Sequence, residues 1–230
     1  MKAEADQLIH ALNLEPIIPR PFYEKLPMNF FKGSVGEKLE IFIAIPGLDS
    51  RFGVDQIGTE PAAVAAFASI LEFSPDLLIS AGTAGSFANE GAEIGKVYLS
   101  KSHFYYHDHR IPISGWEQFG RGGYPSFDTT FFAKELGLDQ ANISSGNSLD
   151  FTEIDLQRIS ESGAILKEME AGGIAWLAST TKTPFFAIKS VTNLIDLNPN
   201  SPEEFEKNFS LAVQSLVREC LRLIEVIAKA

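Results

Sequence analysis

Two short segments hold the residues of this chain best suited to chemistry. The first, Glu168-Met169-Glu170-Ala171-Gly172-Gly173-Ile174-Ala175, puts carboxylates where an apolar strand, Ala164 to Leu166, turns into a helix of small residues. The second, Lys189-Ser190-Val191-Thr192-Asn193, is the exit of another apolar strand, Phe185 to Val191, and delivers a polar side chain there. Open α/β sheets bind ligands outside the carboxyl ends of their strands, so both segments should face one cleft. A carboxylate such as Glu170, set among Met169, Ala171, Gly172, Gly173 and Ile174, is buried at a cost unless something hydrogen-bonds it. The positive end of a helix answers part of that need. A ligand presenting a vicinal diol, with two donors side by side, answers it better.

The elements that must position these residues follow from the pattern. Lys2 to Asn13 reads as a helix with apolar positions at Ala5, Leu8, Ile9 and Leu12. Strand-like segments run from Asn29 to Ile45 around a turn at Gly33 to Gly36, ending in the buried-looking run Ile41-Phe42-Ile43-Ala44-Ile45. Thr59 is placed to cap a helix that has Pro61 in its first turn and continues to about Phe73. Asp76 to Ser80 reads as a short apolar strand stopped by Ala81-Gly82-Thr83-Ala84-Gly85. Further strands are expected at Val97 to Tyr105 and Ala141 to Ser144, with helices at Thr129 to Leu136 and Thr152 to Ser160. After the strand Phe185 to Val191, a loop rich in proline and asparagine leads into a long helix, Pro202 to Ala228. Strands alternating with helices imply a mostly parallel sheet covered on both faces. The 230 residues show no repeat and no linker composition, so one domain is expected.

Composition narrows the function classes. A formal charge of −11 argues against nucleic acid, which is bound mainly through clustered Lys and Arg. No apolar run approaches the length of a membrane span and no signal peptide precedes the first helix, so no membrane partner and a cytoplasmic location are expected. The single cysteine, Cys220, lies on the apolar face of the last helix and reads as a core thiol. Alternation along His107-Asp108-His109-Arg110-Ile111-Pro112-Ile113 puts His107 and His109 on one side, but no third or fourth ligand sits at useful spacing, so no metal is read there.

Three more strings complete the set. Ile79-Ser80-Ala81-Gly82-Thr83-Ala84-Gly85-Ser86 is a strand and glycine turn that is neither a Walker loop nor a dinucleotide fingerprint. Glycines there let backbone N–H groups approach a small polar ligand closely. The others are the long stretch from Pro46-Gly47-Leu48-Asp49 through Gly53 to Ala62, and Ser145-Gly146-Asn147-Ser148-Leu149-Asp150. In this order, and over nearly the whole chain from Glu4 to the last helix, the strings resemble the purine nucleoside phosphorylase / methylthioadenosine nucleosidase family. The Pro46 to Ala62 and His107 to Ile113 stretches are similar to its plant branch.

The resemblance implies an α/β fold: a single three-layer α/β/α domain over residues 1–230, with a mixed, mostly parallel central sheet. The implied reaction is hydrolysis of the N-glycosidic bond of a purine nucleoside, with no cofactor, by a homodimer that shares its pockets. Glu170 would hold the 2′- and 3′-hydroxyls and Glu4 would orient or deprotonate the water. Thr83 would lie beside the nucleophile and the ribose, and Leu149 against the base. Met169 and Phe205 would complete the substrate pocket, while Ile113 and Phe119 would serve the neighbour's 5′-substituent pocket. Asn193 would meet the N7 side of the purine, supported by Asp196. Here the chain departs from the family, which carries an aspartate in place of Asn193. That departure suggests 6-oxopurine nucleosides such as futalosine as alternative substrates, or a nucleoside-binding homologue of weak turnover. The early loops offer only Arg51 where the family's phosphorylases hold phosphate with arginines, so water is the expected nucleophile. The resemblance also implies a buried strand ahead of the Glu4 helix, which the sequence lacks, and Glu4 is expected to be poorly held for want of it.

Overall fold

The computed structural model describes residues 1–18, 25–197 and 201–229. The chain runs α1 (Lys2–Ala11), β1 (Glu15–Ile17), β2 (Asn29–Val35), β3 (Leu39–Ile45), β4 (Leu48–Asp49), β5 (Val54–Asp55), α2 (Thr59–Phe73), β6 (Leu78–Ser86) and β7 (Val97–Tyr106). It continues through α3 (Glu117–Arg121), β8 (Gly122–Pro125), α4 (Thr130–Leu136), β9 (Asp139–Ser145), α5 (Glu153–Ser162), β10 (Ala164–Glu168), α6 (Ala171–Thr181), β11 (Phe185–Leu194) and α7 (Ser201–Lys229). The proline- and asparagine-rich loop before α7 falls partly outside the described residues.

The central sheet is mixed and six-stranded, in the order β11-β6-β10-β9-β7-β8. The pairs β11–β6, β10–β9 and β7–β9 are parallel. The sheet also curls: β7 pairs with β11 through Leu99 opposite Ile188, so five strands close into a ring from which β8 extends. Strand β11 shows why helices cover both faces. Phe185, Ala187 and Val191 face one way, into a cluster with Phe104, Ile143, Leu166 and the α6 alanines Ala171, Ala175 and Ala178. Phe186 and Ile188 face the other, packing with Leu216, Cys220 and Leu223 of α7 and Phe132 and Leu136 of α4. This alternation is the period-2 pleat of a strand buried on both sides. Each large side chain so buried contributes about 1.5–3 kcal/mol.

Several elements differ from expectation. Strands β1, β2 and β3 form a separate antiparallel sheet, because the short turn after Val35 can only fold the chain back on itself. The run Ile41 to Ala44 is half-buried, resting on α1 and on Phe73 of α2. Thr59 is the first helical residue of α2, and the cap position belongs to Gly58, whose φ of 105° turns the chain. Strand β6 does not stop at Ser80 but runs through the glycines to Ser86, and β11 continues to Leu194, so the polar residues of both motifs sit on strands. No helix among the described residues is long and apolar enough to cross a membrane.

Candidate active site

Strands β11, β6 and β10 are consecutive neighbours in the ring, and their site-bearing ends open into one cleft. It encloses about 680 Å³ of empty space including its open mouth, and is lined by Glu4, Thr83, Leu149, Met169, Glu170, Asn193 and Phe205 among others. Seven of the ten residues expected at the site are thus brought together from α1, β6, the β9–α5 loop, the β10–α6 turn, β11 and the first turn of α7.

Glu4 is firmly held, contrary to the expectation that it would be loose. One carboxylate oxygen accepts from both the backbone N–H and the hydroxyl of Thr83, each at 2.9 Å. The other oxygen pairs with the amino group of Met1. Glycine eases the contact across β6: a Cβ on Gly82 would lie 3.3 Å from Lys189 Nζ and 3.4 Å from Glu4 Oε1, a tight fit for both side chains. The glycines of the motif therefore leave room for side chains crossing the strand.

The two carboxylates of the Glu-Met-Glu motif divide their work. Glu168 is fully inside. It accepts from the Ala171 N–H at 2.9 Å, the Glu170 N–H at 3.2 Å and the Ser145 hydroxyl, and pairs with Lys189 Nζ at 2.8 Å. Glu168 therefore satisfies the start of α6, and Glu170 makes no side-chain cap bond there. The Glu170 carboxylate instead borders the cleft, taking one long hydrogen bond, 3.3 Å, from Gly58 N–H. Burial and then the charge of Glu168 push Glu170 above the usual carboxylate range, against the pull of Lys189. For Glu168 burial pushes the same way, but Lys189, Ser145 and the Ala171 N–H outweigh it and hold the group low. Lys189 stays charged: burial opposes the ammonium, but Glu168, Glu170 and Glu4 together raise it. This buried ion pair was not foreseen. Its signal was a lysine inside an apolar strand, since Lys is almost never fully buried unless paired.

Asn193 is buried on β11, where its Oδ1 accepts from the Thr192 hydroxyl at 2.9 Å. Its Nδ2 has no hydrogen-bond partner among the described residues and lies beside Gly85 on the cleft wall. Asn147 does not enter the cleft. Its side chain accepts from Thr59 N–H at 2.8 Å and donates to Glu60, tying the β9–α5 loop to the start of α2.

Three expected residues lie elsewhere. Asp196 accepts from the N–H groups of Ala88 and Asn89, at 2.7 and 2.9 Å, fastening the segment after β6 to the loop after β11. Ile113 and Phe119 are exposed by 61% and 57% on the segment around α3 and do not line this chain's cleft. His107 is buried with Nδ1 3.1 Å from the Ser144 hydroxyl, and burial followed by the charge of Lys167 lowers it to about 4, so it is a neutral ring. Arg51 is tied to Asp49 at 2.7 Å, and no arginine among the described residues lines the cleft.

A curled mixed sheet is thus flanked by helices, with two carboxylates and an amide converging at one cleft. The phosphorylase superfamily model matches residues 1–225, and the chain belongs to that family. A 5′-methylthioadenosine/S-adenosylhomocysteine nucleosidase of Arabidopsis thaliana is 37% identical over 228 residues, 99% of this chain and 89% of the relative. A solved MTA/SAH nucleosidase superposes with a TM-score of 0.96 at 36% identity, covering 100% of this chain and 93% of its own. A futalosine hydrolase of Helicobacter pylori shares the fold, with a TM-score of 0.77 at 18% identity, over 98% of this chain and 94% of its own.

Proposed function

We propose that this chain is a purine nucleoside N-ribosyl hydrolase of the 5′-methylthioadenosine/S-adenosylhomocysteine type, releasing free base and 5′-substituted ribose. The observation that carries this reading is the division of labour at α6. Glu168 takes the helix-capping and ion-pairing duties, which leaves the Glu170 carboxylate facing the cleft with one long hydrogen bond.

In the proposed reaction the 2′- and 3′-hydroxyls donate to Glu170, fixing the sugar. The bond from C1′ to the purine breaks with its electron pair passing to the base, which takes a proton from solvent, and an oxocarbenium-like sugar develops. Water attacks C1′ and gives its proton to Glu4, whose orientation is set by Thr83. Leu149, Met169 and Phe205 enclose the substrate, and Asn193 meets the N7 side of the base. The protein acts as a homodimer in which Ile113 and Phe119, exposed here, reach the partner's 5′-substituent pocket. Asp196 keeps the loop after β11 in place.

A second reading rests on Asn193. Its free NH₂ matches O6 of a 6-oxopurine, and its carbonyl can accept from a protonated N7. A base-release screen of methylthioadenosine, S-adenosylhomocysteine, inosine and futalosine, with and without phosphate, tests both readings. We expect base and free pentose without phosphate. Phosphate-dependent formation of a sugar 1-phosphate would overturn the hydrolytic assignment, and binding without product release would leave a binding protein.

A further inference from the structure

One buried cation near the cleft takes no part in the chemistry just described. Lys167 lies on β10, 5% exposed, and lines the cleft beside Leu149 and Gly85. It makes no ion pair among the described residues, although Lys189, two strands away, does. Its Nζ instead donates to two backbone carbonyls, Ser148 O at 2.7 Å and Leu149 O at 3.0 Å.

Those two bonds matter because of what else holds the loop. Residues 146–151 have no regular structure, and 147–150 are exposed. At its start the loop is well secured: Gly146 N–H donates to Glu168 O at 3.0 Å, Asn147 N–H donates to Asp108 Oδ2 at 2.6 Å, and the Asn147 side chain is tied to Thr59 and Glu60. Beyond it, Thr152 opens α5 in a capping box with Asp155. Between these anchors, the bonds from Lys167 are the hydrogen bonds that hold Ser148 and Leu149 among the described residues. A buried lysine costs desolvation that a methionine of similar length would not. Burial indeed lowers its proton affinity, only partly offset by Asp150, Asp155, Glu168 and Asp108. The site thus carries a buried cation whose two hydrogen bonds both fall on the tip of one loop.

We propose that Lys167 is a positioning residue that clamps the tip of the β9–α5 loop, so that Leu149 meets the nucleobase in a preformed wall. The role rests on the nucleosidase reading, in which Leu149 faces the base, and it acts on binding before bond cleavage. An ammonium suits this role because it has three donors on one atom, and two of them reach successive carbonyls that would otherwise be left to water. The base is then met by a Leu149 whose place is already fixed.

The test compares wild type with Lys167→Met and Lys167→Gln. Backbone order parameters of Ser148 and Leu149 are measured by NMR relaxation, adenine affinity by calorimetry, and nucleoside cleavage by steady-state kinetics. In Lys167→Met the order parameters should fall from a rigid value of about 0.85 to below about 0.6. The adenine Kd and the nucleoside KM should both rise about tenfold, with kcat changed less than about threefold, since binding is being taxed and not the chemical step. Lys167→Gln keeps a donor on a shorter arm and should fall between the two. It carries the same measurements if the methionine variant does not fold. Unchanged loop order with unchanged KM, in either folded variant, overturns the clamp. So does a fall in kcat at constant KM. Loop order and adenine binding are read without turnover, so a chain that cleaves no nucleoside would refute the nucleosidase reading and still leave the clamp to be judged on these two measurements.

Discussion

Replacing Asn193 by aspartate should convert a weak adenine-nucleoside hydrolase into an effective one. The change is isosteric and keeps the oxygen that accepts from Thr192 at 2.9 Å, so the fold around β11 is preserved. What changes is the atom in place of Nδ2. Asn193 is 4% exposed, and burial of that degree favours the neutral form of a carboxyl group, so the new residue holds a proton near neutral pH. Of the two buried cations beside the cleft, Lys189 is already engaged with Glu168 at 2.8 Å and Lys167 with the Ser148 and Leu149 carbonyls, so neither is free to draw that proton off. An amide can bind unprotonated N7 through its NH₂ but has no proton to give as the base departs. General acid catalysis is worth about 10²–10⁴-fold, or about 2.7–5.4 kcal/mol of barrier. We therefore expect kcat for methylthioadenosine to rise by about 10³-fold in Asn193→Asp, measured as adenine released per unit time, with a much smaller gain on inosine or futalosine. Rapid methylthioadenosine turnover by the unmodified chain, unchanged in Asn193→Asp, would show that Asn193 does not sit at N7.

Other outcomes follow from the charges around α6. Glu170→Gln should lower kcat/KM by about 10- to 10²-fold, since one ribose hydroxyl loses a charged acceptor worth about 1.5–3 kcal/mol. The thermal midpoint should hold, because Glu168 and not Glu170 satisfies the helix start, and retained activity would make Glu170 structural. In the wild type the ionised Glu170 is the form that binds the diol, and its affinity for protons is raised. kcat/KM should therefore fall with acidification from a pH above the ordinary glutamate range, and this acid limb should vanish in Glu170→Gln. Lys189→Met should cost about 3–5 kcal/mol in urea unfolding at neutral pH by stranding a buried carboxylate. The sign with pH then reverses between the two proteins. In the wild type the depressed proton affinity of Glu168 contributes stability that is lost as pH falls below the ordinary carboxylate range. The variant should regain stability on mild acidification as Glu168 takes up a proton. Equal urea midpoints for the two proteins at neutral pH would show that the pair contributes nothing.

Much of this site was legible in the sequence because its residues lie on strands whose apolar patterns are strong. The run Phe185 to Val191 announces a buried strand, and the small residues after Glu170 announce a tightly packed helix start. What stayed hidden depends on neighbours distant in the chain. Lys189 and Glu168 lie on strands that do not pair with each other, separated in the ring by β6, so nothing local says that they form an ion pair across Gly82 and its neighbours. The glycines of β6 looked like a turn because glycine usually punctuates a strand. Here they continue it, since the space over Gly82 is needed by Lys189 and Glu4. The cap of α2 was misplaced by one residue because Thr59 has the right chemistry, but its hydroxyl is engaged by Asn147 and Glu60. Nothing in the sequence announced that β7 would close the ring onto β11, a pairing made by register alone.

That closed ring decides where this protein can change. Thr83, Glu168 and Asn193 sit on three adjacent staves of one barrel, each braced by two neighbours, and a shift of any one drags the others with it. The walls that would meet base and 5′-substituent come from outside the barrel: Ile57 before α2, Leu149 on its loop and Phe205 on the first turn of α7. Divergence toward a new 5′-substituent therefore has room in three short peripheral segments, while Thr83, Glu168 and Asn193 are inherited as a single casting. Libraries aimed at altered 5′-substituent range should randomise those segments, while the choice of base is left to Asn193 on its stave.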